Sequence, residues 1–317
     1  MLKTCKITAI LDGSPGHEKQ TEGIIRALEK YVCVEITRLK IKKTFLSDIV
    51  SWLKVLVGLC WNIGKTQDVD FVMGTGTHTH PHVIKIGNAG SAKKIICMFP
   101  ASFLIKMFDL CFVPNHDRPK SGKNIFLTVG PPNISENKHI HKKDLGLILV
   151  GGVDEKSHVW DSDKICGYIE QIVSSAPVNL NWTISSSPRT PEEMDAKISR
   201  FVAGRENVSF FRFADTPKGW VEKRYDTSGV VWVTADSLSM VYEALTAGCT
   251  TCIIPVEWKQ KENKFASSEH YLYDHTIAIS YDNWEKNKDY IKSGNGLDES
   301  DRCAREILRR WGSKSLQ

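Results

Sequence analysis

Short apolar runs alternate with longer segments of helical periodicity along the whole chain. Runs at 6–11, 32–38, 71–73, 94–98, 110–113 and 125–127, then at 145–150, 181–185, 208–211, 229–233, 251–254 and 276–279, read as strands. Val230, Val231, Trp232 and Val233 are apolar without alternation, the pattern of a strand buried on both faces of a parallel sheet. Helical spacing fills the gaps, as at 19–30 and 300–311. The alternation predicts an α/β protein with parallel sheets. Two sets of strands flank Gly130-Pro131-Pro132-Asn133-Ile134 and a polar stretch at 135–143, which together read as a linker. The expected domains are 1–143 and 144–317, with the last helix able to pack back on the first.

At 317 residues the chain is long enough for two cores, and 41% hydrophobic with 25% charged residues is the make-up of a soluble globular protein. The net charge of +5 is mild and dispersed, so nucleic acid is not an expected partner. Nine cysteines lie mostly inside apolar runs, and the C-x-x-C pair of Cys249 and Cys252 lacks a second pair or a nearby histidine. They read as buried thiols of a cytoplasmic protein rather than a redox or zinc site. The N-terminus enters a strand at once, too short and strand-like for a signal peptide. Segment 45–63 approaches membrane-spanning length, but Asp48 and Lys54 interrupt it. It reads as a core helix, or an amphipathic one that leans on a membrane surface through Trp52 and Trp61.

Glycine-containing turns follow several strands, where backbone can approach a ligand. Asp12-Gly13-Ser14-Pro15-Gly16-His17-Glu18 follows the first. A neutral imidazole suits His17 to take a proton from a hydroxyl, although a helix cap or turn role fits its position equally. Gly74-Thr75-Gly76-Thr77-His78-Thr79-His80-Pro81-His82 follows the third strand. It lacks the third glycine of a dinucleotide fingerprint, and its alternating histidines lack a carboxylate to complete a metal site. Gly76, Thr77 and His78 are therefore read as a substrate-facing turn.

In the second half, Gly151-Gly152 offers backbone amides suited to a diphosphate. Asp161-Ser162-Asp163 has the spacing of an Asp-x-Asp metal motif but stands at a helix start, where capping is the preferred role. Loop 185–191 supplies Ser185 and Arg189, the latter facing a phosphate or solvent, and the main chain around Arg212 and Phe213 is placed to read a base. After the strand ending at Val233, Asp236 or Ser237 is a plausible N-cap, and helical spacing sets Asp236, Ser239 and Glu243 on one side. The helix start favours a phosphate, and Glu243, about 10 Å further on, is placed to accept from sugar hydroxyls. The alternative is an ordinary helix with Glu243 in water.

As a set, the stretches 12–20, 74–78, 185–191 and 234–244 resemble the GT-B glycosyltransferases, among them the peptidoglycan enzyme that adds N-acetylglucosamine to lipid I. They are still more similar to the mitochondrial fission ELM family, a group regarded as glycosyltransferases. The resemblance implies two Rossmann-like domains with parallel sheets facing across a cleft. It implies transfer from a nucleotide diphosphate sugar, UDP-linked above all, to a hydroxyl of a glycan or lipid, without cofactor or metal. His17 then falls on the base, with Gly13, Gly16, Gly76, Thr77 and His78 on the acceptor side. Gly151 and Gly152 fall on the diphosphate turn, and Ser185, Arg189, Arg212, Asp236 and Ser237 remain further donor-side candidates on the residues alone. Glu243 falls on the ribose-binding glutamate, and Glu262 and Asn263 on the donor-sugar grip. Val153 and Asp236-Ser237 depart from the peptidoglycan enzyme's pattern, and an aspartate would repel a diphosphate, so Asp236 is expected to cap its helix or bind a sugar hydroxyl. A nucleotide-sugar epimerase on the same fold and a non-catalytic scaffold for membrane-remodelling proteins are the rival expectations.

Overall fold

The computed structural model describes residues 4–41, 68–260, 264–288 and 296–312. Segment 45–63, Glu262 and Asn263 lie outside the described residues. The chain divides into two compact units, Met1–Ile134 with Asp298–Gln317, and Ser135–Leu297.

The first unit is built from β1 (Thr4–Leu11), α1 (Pro15–Glu29), β2 (Cys33–Lys40), β3 (Phe71–Thr75), α2 (His80–Ala89), β4 (Lys93–Cys97), β5 (Leu110–Pro114), β6 (Ile125–Thr128) and the C-terminal helix Glu299–Trp311. Its sheet is parallel, in the order β2-β1-β3-β4-β5-β6. Strand alternation sends Ile7, Ala9 and Leu11 into a core with α1 and the C-terminal helix, and Ile10 into a second core with Val83 and Ile84 of α2. Burying each of these isoleucine, leucine and valine side chains is worth about 1.5–3 kcal/mol, and Ala9 about 0.8 kcal/mol. The first helix starts at Pro15, four residues before the expected 19, with a proline in its first turn where no N–H is missed.

The C-terminal helix is tied to this unit by polar contacts as well as by Cys303, Ala304 and Ile307. Ser300 Oγ donates to the Asn133 carbonyl at 2.7 Å and accepts from its N–H at 3.0 Å. Stretch 135–143 goes the other way: Lys138 pairs with Asp226 at 2.7 Å, and β7 opens at Lys142. These contacts place the division at 134/135 rather than at the expected 143/144.

The second unit contains β7 (Lys142–Leu149), β8 (His158–Val159), α3 (Ser162–Ser175), β9 (Asn181–Ser185), α4 (Glu192–Val202), β10 (Val208–Phe211), α5 (Trp220–Thr227), β11 (Ser228–Thr234), α6 (Leu238–Thr246), β12 (Thr250–Ile254), β13 (Glu257–Trp258), α7 (Lys264–Asp274), β14 (Ile279–Ser280) and α8 (Tyr281–Asn287). Its parallel sheet runs β10-β9-β7-β11-β12-β14, while β8 and β13 form a short antiparallel pair. Trp182, Trp232 and Trp284 are buried in its core, the last two edge to face at 5.2 Å. The last strand begins at Ile279 rather than 276, because Thr276 takes a left-handed turn with φ 53°. In each sheet the strand order reverses once, at β1/β3 and at β7/β11. Open α/β sheets bind ligands outside the carboxyl ends of the strands flanking such a reversal. Among the described residues no helix is long and apolar enough to cross a membrane.

Candidate functional site

The carboxyl ends of β1 and β3 bring His17 and Gly76 together. Asp12 follows β1 with its side chain fully buried, and its Oδ2 lies 2.8 Å from His17 Nδ1. Its Oδ1 accepts the Ser14 N–H at 2.9 Å. A carboxylate only accepts, so the proton of a neutral His17 sits on Nδ1 and the Nε2 lone pair is left to act as a base. The His17 side chain is 29% exposed, enough for a substrate hydroxyl to reach it. Asp12 was missed as a functional residue, although it lies only five positions before His17.

Gly76 has φ 86° and ψ 156°, a region essentially reserved to glycine. A Cβ there would stand 2.5 Å from two atoms of the His17 ring, so the turn is shaped around the imidazole. Thr79 Oγ1 donates to the Gly76 carbonyl at 2.7 Å and holds that shape. Gly13, φ 78°, donates its N–H to Glu18, while Gly16 and Thr77 are exposed and His78 is half-buried. His80 instead packs edge-on to Phe108, and burial followed by repulsion from His78 lowers its pKa to about 4. No group of three His, Cys, Asp or Glu suited to a metal occurs among the described residues.

At the β7/β11 reversal, Gly151, Gly152, Arg189, Asp236 and Ser237 converge, but not in the expected way. The Gly151 N–H donates to Thr234 Oγ1 at 2.7 Å and the Gly152 N–H to Asp236 Oδ2 at 3.0 Å. Both amides expected to meet a diphosphate are thus already engaged. Asp236 does not cap α6, and Ser237 makes no side-chain cap bond either. Arg189 is the reason: its Nη2 lies 2.7 Å from Asp236 Oδ2 and 3.2 Å from Ser237 Oγ, drawing the carboxylate back over Gly151. The Asp236 side chain is 1% exposed and that of Arg189 42%, so the pair turns a cation outward over a buried counter-ion. Ser187 Oγ donates to the Gly151 carbonyl at 2.8 Å and fastens the Arg189 loop to the turn. The N–H groups of Leu238 and Ser239, at the start of α6, donate to no protein acceptor among the described residues.

The remaining expected positions behave differently. Ser185 is buried, its hydroxyl turned to the Ser186 carbonyl at 3.4 Å. Arg212 pairs with Asp215 at 3.0 Å. The Phe213 N–H donates to Ser186 Oγ and its carbonyl accepts from Thr216, so this main chain is spoken for rather than open to a base. Glu243 is 7% exposed, and the pKa of the buried Tyr225 is raised first by burial and then by the Glu243 charge, so Glu243 faces the interior and not the water. Asp161 caps α3 through the Lys164 N–H at 3.0 Å. Cys249 and Cys252 are buried free thiols.

The family model of Mitochondrial fission ELM1 proteins matches residues 15–311. No curated protein matches the sequence. Among solved structures, a Listeria monocytogenes protein assigned as a UDP-N-acetylglucosamine 2-epimerase is similar at 14% identity and a TM-score of 0.58, over 96% of this chain and 95% of its own. The Neisseria meningitidis UDP-GlcNAc 2-epimerase bound to UDP-GlcNAc aligns at 11% identity and 0.52, over 96% and 99%. Phytolacca americana UGT2, complexed with UDP-2-fluoro-glucose and pterostilbene, aligns at 7% and 0.53, over 96% and 90%. The shared fold is GT-B.

Proposed function

Because the chain belongs to the mitochondrial fission ELM1 family, we propose that it is a glycosyltransferase that moves a sugar from a nucleotide diphosphate sugar to a hydroxyl of a glycan or lipid. UDP is the favoured carrier, since structural neighbours are crystallised with UDP-sugars. In the second unit Arg189, the Ser237 hydroxyl and the first N–H groups of α6 receive the phosphates, combining a half-exposed cation with the positive end of a helix. Asp236 orients Arg189 rather than touching the diphosphate. Glu243 on α6 accepts from the ribose. In the first unit His17 accepts the proton of the attacking hydroxyl, and the Gly76 turn bounds the acceptor. Charge compensation rests on Arg189 and backbone amides, so the reaction as proposed needs no metal or cofactor.

The observation that carries this reading is the buried Asp12 carboxylate 2.8 Å from His17, which fixes the tautomer a general base requires. Such a base is worth about 10²- to 10⁴-fold in rate. The test is a panel of nucleotide sugars assayed with and without glycan and lipid acceptors. Ligand at about 100 times its dissociation constant should add roughly 2.7 kcal/mol to stability. Release of nucleoside diphosphate only when acceptor is present supports transfer. An epimerised nucleotide sugar formed with no acceptor would establish the epimerase instead, and failure of every nucleotide sugar to stabilise the protein would leave the scaffold.

A further inference from the structure

Gly152 is the peptide on which the polar contacts of the second unit's site converge. Its N–H goes to Asp236, its carbonyl lies 3.4 Å from Arg189 Nη1, and a Cβ at this position would stand 2.0 Å from the Arg189 carbonyl. The carbonyl has another partner outside the site already described, His158 Nε2 at 3.1 Å. His158 lies on β8 and is 2% exposed. Its ring meets Trp160 and Trp258 edge-on at 6.1 and 5.9 Å. Trp258, the residue opposite it on β13, is itself fixed by an Nε1–H bond to Glu269 at 2.8 Å.

A backbone carbonyl only accepts, so His158 carries a proton on Nε2 whether the ring is neutral or charged. On the other side, Nδ1 faces Ser157 Oγ at 2.8 Å, and that hydroxyl lies 2.9 Å from Asp154 Oδ2. Ser157 can donate to Nδ1 or relay a proton toward Asp154, and in both arrangements Nε2 remains the donor to Gly152. We propose that His158 is a positioning residue for Arg189. It shares the Gly152 carbonyl with Arg189 Nη1, and so holds in place the peptide against which the Arg189 guanidinium rests while Nη2 stays paired with Asp236, facing the phosphates. The proposal rests on the reading of Arg189 as the phosphate-binding group.

His158→Phe keeps a ring between the tryptophans and removes the donor, whereas His158→Gln returns an N–H near the Nε2 position. Titrating full-length protein with UDP, we expect His158→Phe to weaken binding about tenfold, the scale of one lost hydrogen bond at a charged site. His158→Gln should restore most of it, and in an Arg189→Ala background His158→Phe should cause no further loss. An equal loss in that background, or no recovery with glutamine, overturns the proposal. Independently of any nucleotide, the Arg189 Nε–H signal in ¹⁵N NMR of the unliganded protein should shift and broaden in His158→Phe and return in His158→Gln. If wild-type protein fails to bind UDP, the phosphate-site reading fails. The Arg189 signal then decides the positioning role alone, and an unchanged signal in His158→Phe refutes it. Should His158→Phe not fold, His158→Asn supplies the contrast with glutamine, because its amide reaches only the Nδ1 side.

Discussion

Replacing Asp12 by asparagine removes one oxygen's acceptor character while keeping the size of the side chain. In the native protein Oδ1 takes the Ser14 N–H at 2.9 Å and Oδ2 takes His17 Nδ1 at 2.8 Å. Asparagine has one oxygen for these two donors. If that oxygen stays on Ser14, the amide N–H₂ faces His17, Nδ1 must accept, and the ring proton moves to Nε2, where the base is needed. The opposite flip sets two donors against each other at Ser14, at a cost of about 1–3 kcal/mol. Loss of the base predicts a fall in kcat of about 10²- to 10⁴-fold, equivalent to roughly 3–5 kcal/mol of barrier. The donor is read by the second unit, so its binding should not change. The assay is the initial rate of UDP release with acceptor for wild type, Asp12→Asn, His17→Ala and the double variant, alongside UDP titration. The double variant should be no slower than His17→Ala, because residues acting as a unit are not additive. An Asp12→Asn enzyme with native kcat, or one whose defect is confined to donor affinity, would refute the reasoning.

Gly76→Ala places a Cβ 2.5 Å from the His17 ring in a backbone region that costs about 1–3 kcal/mol, so thermal unfolding should come earlier and turnover fall while UDP affinity holds. His80, with its pKa lowered to about 4 against 6.5 unfolded, is held neutral by the fold; its stabilisation is complete above about pH 6.5 and lost as pH falls toward 4. The window is worth roughly 3 kcal/mol, and His80→Phe should flatten the acid limb of the denaturation curve; an unchanged limb would contradict burial as the cause. Burial pushes the thiols of Cys97, Cys111 and Cys249 up to about 12, whereas Cys33 is exposed. A thiol reagent at mildly alkaline pH followed by mass spectrometry should therefore modify Cys33 in the folded protein, and those three only after denaturation.

Most strands were legible because burial on both faces leaves uninterrupted apolar runs, as in Val231 to Val233, and the glycine turns stood out where backbone must approach another group. What escaped the sequence depends on contacts between distant positions. Capping of α6 was expected because Asp236 precedes a helix, yet Arg189, 47 residues away, captures the carboxylate. The domain junction shifted because Lys138 finds Asp226, a pairing 88 residues long that composition does not signal. Asp12 is the opposite case: its partner is local, and a buried strand-end aspartate preceding a histidine-bearing helix was a signal within reach. His158 gave none, since its role depends on where the Gly152 carbonyl points.

Hydrogen exchange of the full-length protein with and without saturating UDP probes the nucleotide site itself. Protection should rise at the amides of Leu238 and Ser239 and in the 187–190 loop, and Arg189→Ala should abolish it. Exchange unchanged at those amides, or slowed only around His17 and Gly76, would mean that the second unit does not hold the activated sugar.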